Sequence, residues 1–483
     1  MRTAYSVETV RAAERELMAR LPEGALMARA AAGLAAVCAE LLARRRGRVY
    51  GSRVVLLAGP GDNGGDALYA GARLARRGAA VTAVPMDPAR IHPGGLAALR
   101  AAGGRVAESV PARADLVLDG LTGIGGRGGL RPAAAALVER IPAGALVVAV
   151  DLPSGVDADT GEVAGPAVSA DVTVTFGAYK PGLLIDPGAS RTGAVRLVPI
   201  GLELPDRAEL EALQHADVAR LLPLPESSSD KYRRGVVGVV AGSEQYPGAA
   251  VLAVAGALRG GAGAVRYVGP AADAVLARYP EVLVGRGRVQ AWVVGPGLGS
   301  GRAAEVERAL ADRDVPVLVD ADGLRGLDPE AVRARRAATL LTPHAGEAAA
   351  LLGVAREEVE AGRLAAVRGL AGRYGAAVLL KGATTLVASG GVVRVNPTGT
   401  PWLATAGSGD VLSGLAGALL AGGLSGGDAG AVAAYLHGLA GRFAAGAPAA
   451  GGIPAGGLAA GGAPVVAQEV AAALPEAWRS VRG

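Results

Sequence analysis

Residues 53–74 read RVVLLAGPGDNGGDALYAGARL, and their passage from an apolar run through a glycine turn into a helical repeat decides the fold. RVVLLA has the length and apolar continuity of a buried strand, and ALYAGARLARRG returns apolar residues at helical spacing. Between them Gly59, Gly61 and Gly64 match G-x-G-x-x-G, the context in which a turn aims backbone N–H groups at phosphate. That pattern alone is weak, because a turn needed only for packing would look the same. Here the loop also carries Asn63, Gly65 and Asp66, unlike a simple dinucleotide fingerprint. An amide and a carboxylate therefore stand at the sheet's C-terminal edge, where open α/β sheets bind ligands.

Outward from this unit the alternation repeats. AVTAVPM, DLVLDG, ALVVAVDLPSG, ADVTVTFG and AVRLVPIG are short runs closed by glycine, proline or an acid, with helical patterns between several of them. The pattern restarts with GVVGVVAGS, a helix beginning near Pro247, AVRYVG, AWVVGPGLG, VPVLVDADG, TLLTPHAGE, AVLLKGATTLVA and VVRVNP. Both sets predict mainly parallel sheets, so the fold class is α/β. A Rossmann-like three-layer domain is expected over residues 1–212 and a second α/β domain over 213–483, with the polar LLPLPESSSD marking the seam. Residues 444–464 are Ala/Gly/Pro-rich low complexity, expected as a surface loop before a last helix in VVAQEVAAALPEAWRS.

A chain of 483 residues exceeds what one core supports, which agrees with two domains. No uninterrupted apolar run of membrane-spanning length is read, and the opening residues lack the basic-then-apolar order of a signal peptide, so a cytoplasmic protein with no membrane partner is expected. Cys38 is the sole cysteine and sits in AAGLAAVCAELLA as a small helical hydrophobe, which excludes disulfides and cysteine–zinc sites. The net charge of +5 comes from arginines dispersed among acids, and no nucleic-acid partner is expected. Lysine and asparagine are nearly absent: Lys180, Lys231, Lys381, Asn63 and Asn396 are all there are. Arginine has replaced lysine elsewhere, so these five mark positions where an ammonium or a neutral amide resists exchange.

Two more strand ends carry acids: Asp119 before the glycine loop LTGIGGRGG, and Asp151 before Leu152, Pro153 and Ser154. Asn63, Asp119 and Ser154 offer oxygen ligands from three neighbouring strand ends, a set suited to a hard cation. In the second half, Gly407 and Gly409 in GSGD let backbone amides face a phosphoryl group at a helix start. Asp410 is placed either to accept a hydroxyl proton or merely to cap that helix. His344 in TPHAGE precedes a helix, where it could contact a substrate or be structural, and His437 lies on an apolar helical pattern and reads as core.

RVVLLAGPGDNGGDALYAGARL, LDGLTGIGGRGG and AVDLPSGVDADTGEV together resemble the NAD(P)H-hydrate epimerase family, over roughly residues 1–210. The resemblance implies a potassium ion held by Asn63, Asp119 and Ser154. It implies substrate contacts from Asp62, Asn63, Gly64, Gly65 and Asp66, from Gly123, Ile124, Gly125, Gly126, Arg127, Gly128 and Gly129, and from Asp151. Asp62 stands where that family usually has asparagine. From about residue 217, SDKYRRGVVGVVAGSEQYPGAAVLAVAGALRGGAGAVRY, VVGPGLG, LLTPHAGE, LLKGATTLVA and NPTGTPWLATAGSGDVLSG resemble, in order, the ADP-dependent NAD(P)H-hydrate dehydratases. That implies a ribokinase-like domain, with Ala249, Gly297, His344 and Asp410 on the hydrate. Lys381, Gly382, Ala383, Thr384 and Thr385 would lie against the nucleotide phosphates, and Gly409 on the AMP portion. PWLATAGSGD departs from the more glycine-rich family version near Trp402.

The function so implied is repair of hydrated NADH and NADPH (NADHX and NADPHX). The first domain would epimerise the R and S hydrates, with Asp119 or Asp151 handling the proton. The second would use ADP with magnesium to phosphorylate the ring hydroxyl, with Asp410 as base, and eliminate phosphate to leave NAD(P)H, AMP and phosphate. Assembly into a homo-oligomer is expected. A ribokinase-type small-molecule kinase fused to a non-catalytic ligand-binding module is the alternative, since GSGD would serve it equally well. Pro-His-Ala-Gly-Glu argues against it.

Overall fold

A computed structural model describes residues 1–299, 303–446 and 462–483. The chain forms two compact units, one of Thr3–Glu209 and one running on from Leu210. Residues 210–212, together with Met1–Arg2, therefore go with the second unit rather than the first.

After an opening strand β1 (Arg2–Ala4), the first unit carries β2 (Arg53–Ala58), β3 (Ala80–Pro85), β4 (Arg105–Val106), β5 (Leu116–Gly120), β6 (Leu146–Val150), β7 (Val172–Phe176) and β8 (Ala194–Val198). They form one sheet in the order β4-β3-β2-β5-β6-β7-β8, parallel throughout. In β2 Val54 and Leu56 enter a core with the helices Ala25–Arg46, Asp62–Arg76 and Pro93–Ala101, while Val55 and Leu57 enter another with the helix Pro132–Val138. Covering both faces is why RVVLLA is apolar at every second and every first position alike, and it makes the unit three layers. The helix Ala25–Arg46 is long and apolar enough to cross a membrane by length and composition, although Arg29 and Glu40 interrupt its apolar run. Its Ala31, Leu34, Cys38 and Leu42 are instead buried against this sheet, and burial pushes the Cys38 thiol up to about 12.

The second unit carries β9 (Leu210–Ala212), β10 (Val236–Val240), β11 (Ala264–Val268), β12 (Leu283–Val284), β13 (Ala291–Val294), β14 (Val317–Val319), β15 (Thr339–Leu341), β16 (Ala377–Leu380), β17 (Thr385–Ser389) and β18 (Val392–Asn396). Its sheet runs β1-β9-β18-β17-β16-β15-β14-β13-β10-β11-β12. β17 is antiparallel to both neighbours, so AVLLKGATTLVA, read as one run, is two strands reversing at Lys381–Thr384. The helix Ser408–Ala421 is buried against β10 and β13, and His437 is core as expected: its Nε2 lies 2.9 Å from the Ser408 carbonyl. Burial drives that imidazole down to about 4, so it is neutral and donates. Most of the low-complexity stretch, residues 447–461, lies outside the described residues; the last helix is Ala467–Arg482.

Candidate functional site

In the first sheet the chain moves outward from β2 to β3 and β4, then returns to β5, so the strand order reverses between β2 and β5. Loops leaving those two strands part there and open a crevice. A cavity of about 1580 Å³ occupies it, lined among others by Asp62, Asn63, Asp66, Gly123, Ile124, Gly125, Gly126, Arg127, Gly129 and Asp151. Gly64, Gly65 and Gly128 do not line it; the first two are buried in the start of the helix Asp62–Arg76. Gly59 brings the two loops together, since a Cβ there would lie 1.9 Å from the Leu121 carbonyl oxygen. Gly59→Ala should destabilise the chain by about 2–3 kcal/mol, read as a lower urea midpoint.

Asn63, Asp119 and Ser154 do converge. Ser154 donates from Oγ to Asp119 Oδ1 at 2.6 Å and from its amide to Oδ2 at 2.8 Å. The Thr122 amide donates to Ser154 Oγ at 2.9 Å, and Asn63 Nδ2 donates to the Thr122 carbonyl at 3.0 Å. Asp119 is fully buried with no salt bridge among the described residues; burial pushes its carboxyl up to about 6 against the two Ser154 bonds and the Leu121 amide. One buried carboxylate with neutral oxygens suits a single positive charge, and the described residues contain no group of three His, Cys, Asp or Glu that could hold a metal. Asp119 is absent from the cavity wall, unlike Asp151.

Asp151 follows β6 with φ 65°, a left-handed backbone uncommon outside glycine. Its Oδ1 accepts from Lys180 Nζ at 2.5 Å, Thr175 Oγ1 at 3.0 Å and the Phe176 amide at 3.2 Å. Lys180 is fully buried and also donates to Thr175 Oγ1 and the Phe176 carbonyl. Sequence reasoning assigned Lys180 no role, although its survival in a lysine-poor chain had singled it out. Asp66 contrasts with Asp151: it is 9% exposed, its Oδ1 is buried with no hydrogen-bond partner, and its carboxyl is held well above the usual range. Burial is the main cause, followed by the carboxylates of Asp151, Asp62 and Glu14. Glu14, from the helix Val7–Met18, lines the same cavity and was not anticipated.

In the second sheet the order reverses between β10 and β13. Gly297 after β13 meets Ala249 in the helix Pro247–Arg259, where a Cβ on Gly297 would lie 2.6 Å from the Ala249 methyl. Lys381 after β16 lies 2.7 Å from Asp320 Oδ1 and 3.8 Å from Glu347 Oε2. Ser413 Oγ donates to the other Asp320 oxygen at 2.6 Å. Burial pulls the Lys381 ammonium down, but Asp320 first, then Glu347 and Asp410, raise it to a net upward shift. Gly409 is in the first turn of the helix Ser408–Ala421, where a Cβ would lie 3.6 Å from Lys381 Nζ. Asp410 in the same turn is pushed up to about 7 by burial and by Asp320, against the pull of Lys381. Asp320, buried between Lys381 and Ser413, was read only as the end of a strand.

His344 caps the helix Ala345–Leu352: its Nδ1 accepts from the amides of Gly346 and Glu347, while Glu347 returns a bond to the His344 amide. Nδ1 being an acceptor, the imidazole proton is on Nε2, 3.4 Å from Glu347 Oε1. The turn Lys381, Gly382, Ala383, Thr384 and Thr385 is gripped from within by Arg363, whose guanidinium donates to the carbonyls of Leu380, Lys381 and Thr384. Thr384 is buried and Thr385 Oγ1 bonds the Gly382 carbonyl at 3.3 Å. Two of the five scarce residues are not at either site. Asn396 bonds the Ala434 carbonyl at 2.8 Å and fastens Thr398, and Lys231 is exposed over the Tyr232 ring.

Comparison with known proteins agrees with this geometry. A family model described as YjeF-related protein N-terminus matches residues 23–182, and one described as NAD(P)H-hydrate dehydratase matches residues 237–459. A bifunctional NAD(P)H-hydrate repair enzyme of Mycobacterium leprae (strain TN) is 52% identical over 93% of this chain and 95% of its own. That of Mycobacterium tuberculosis (strain CDC 1551 / Oshkosh) is 52% identical over 89% of this chain and 92% of its own. A ribokinase-like superfamily protein of Enterococcus faecalis V583, 22% identical with a TM-score of 0.50, covers 58% of this chain and all of its own, which supports the ribokinase-like fold of the second unit. The chain belongs to the family of bifunctional NAD(P)H-hydrate repair enzymes.

Proposed function

We infer that the chain repairs hydrated NADH and NADPH, epimerising the R and S hydrates in its first unit and dehydrating the S form with ADP in its second. The observation that carries this is that each unit sets a carboxylate against a lysine where strand ends meet: Asp151 with Lys180 in the first, and Asp320 with Lys381, beside the helix start that bears Gly409 and Asp410, in the second. Of the two acids open for proton handling in the first unit, Asp151 is favoured because it lines the cavity. Asp119 with Asn63 and Ser154 would hold a potassium ion, which would supply the positive charge that the buried carboxylate lacks.

In the second unit Asp410 accepts the proton of the ring hydroxyl, whose oxygen bonds to the terminal phosphorus of ADP as the bond to AMP breaks. Loss of phosphate with a proton from the adjacent carbon restores the ring double bond. The amides of Gly409 and Asp410, in the first helical turn, face the phosphoryl oxygens, and Lys381 neutralises them. Magnesium would arrive on the nucleotide, its usual mode when a protein supplies few ligands. The turn Gly382–Thr385 and Gly409 receive the nucleotide, and Ala249, Gly297 and His344 the hydrate.

Purified protein given a hydrate mixture and ADP·Mg should restore the absorbance of reduced nicotinamide in two phases, the S form at once and the R form at the rate of epimerisation. Exchanging potassium for a bulky organic cation should slow the second phase only. Absence of any absorbance recovery would refute the reading.

A further inference from the structure

We propose that Asp66 and Asp151 divide the epimerisation between them: Asp66 gives its proton to the departing hydroxyl of the hydrate, and Asp151 takes one from the water that adds to the opposite face. This rests on the epimerase reading of the first unit. Hydration of a dihydropyridine places the hydroxyl on the carbon beside the ring nitrogen, and inverting that carbon needs an acid and a base together.

Both carboxyls line the same cavity from different walls. Asp66 belongs to the helix that follows β2 and Asp151 follows β6, with β5 between those strands, so the two reach the cavity from separate elements. One acid and one base acting from two sides is the division by which hydrolases invert a sugar carbon. Their surroundings differ in kind. Asp151 Oδ1 accepts three hydrogen bonds, one of them from the buried Lys180. Asp66 Oδ1 is buried with no donor at all, a setting only the neutral acid tolerates. Glu14 and Arg11 from the helix Val7–Met18, Asp62 from the helix of Asp66 and His92 before Pro93–Ala101 line the cavity too. Among these neighbours the acids reinforce the proton on Asp66, and burial adds to it. A buried carboxyl oxygen without a donor, beside one that accepts three, assigns the acid and the base.

The balance closes. The carbon–oxygen bond breaks as the hydroxyl takes the Asp66 proton and leaves as water, while the nitrogen lone pair forms a C=N iminium. A second water adds to the other face, loses its proton to Asp151, and the electron pair returns to nitrogen. One proton has moved from Asp66 to Asp151, and solvent returns it.

The test is epimerisation by the full chain in ¹⁸O-water, with Asp66→Asn beside the wild type and ADP-dependent dehydration of the S form as the folding control. Wild type should take up one solvent oxygen per inversion and lose activity at alkaline pH as Asp66 ionises. Asp66→Asn should lower the epimerisation kcat about 100-fold or more with dehydration intact. Its residual rate should lack the alkaline limb. Inversion without solvent oxygen, as ring opening would give, overturns the proposal, and so does a variant keeping more than about a tenth of kcat. If the wild type shows no interconversion at all, it is the epimerase reading that fails.

Discussion

Asp410→Asn should lower the kcat of ADP-dependent dehydration about 100-fold or more while ADP·Mg still binds. Asparagine keeps the size and the helix-start position of the aspartate, so the amides that face the phosphates stay in place. What it cannot do is accept the hydroxyl proton. The wild-type carboxyl is pushed up to about 7, chiefly by burial and next by Asp320, with Lys381 opposing. Its working form is the carboxylate, so kcat/KM should rise with pH through about 7 and level off above. The variant should lose that rising limb. Calorimetric titration with ADP·Mg beside pH–rate profiles separates binding from chemistry, and a variant that fails only through lost nucleotide affinity would show that Asp410 is no base.

Lys180→Met should depress the epimerisation kcat about 100-fold while ADP-dependent dehydration is kept. Removing the lysine leaves Asp151 Oδ1 with one hydroxyl and one amide as donors and no positive charge beside it, so the carboxyl loses the contact that fixes its position in the cavity wall. The same change breaks a buried ion pair, a loss of about 3–5 kcal/mol, and should lower the melting temperature. Lys180→Arg should not restore the rate, because the planar fork does not fit a pocket built for one compact ammonium between Thr175 Oγ1 and the Phe176 carbonyl. A variant that melts earlier yet epimerises with a normal kcat would make Lys180 purely structural.

What could be read ahead of the structure was whatever is local along the chain. RVVLLA, DLVLDG and the other runs became strands because parallel strands covered on both faces must be apolar throughout, and the acids at their ends had to emerge at the ligand edge. The glycine loops were legible for the same reason. Lys381 facing Asp320 was not, since the two are brought together only by β15 lying between β14 and β16. Arg363 looked like any surface arginine on an arginine-rich helix, and only the fold reveals that its guanidinium is buried against three carbonyls some twenty residues on. The reversal at Lys381–Thr384 was hidden because KGATT is short enough to pass as part of one strand. Scarcity of lysine singled out Lys180 and Lys381, each ion-paired with a buried aspartate at a strand end, but equally Lys231, which is exposed.

The left-handed backbone at Asp151 has a cost that falls on the whole chain. A glycine there would sit in that conformation without strain, whereas a side chain is disfavoured by about 1–2 kcal/mol. Glycine would relieve that strain but leave Lys180 buried without its partner, a loss of about 3–5 kcal/mol. The ion pair therefore outweighs the strain it sits on, and even the substitution that best suits the backbone at residue 151 should lower the melting temperature rather than raise it.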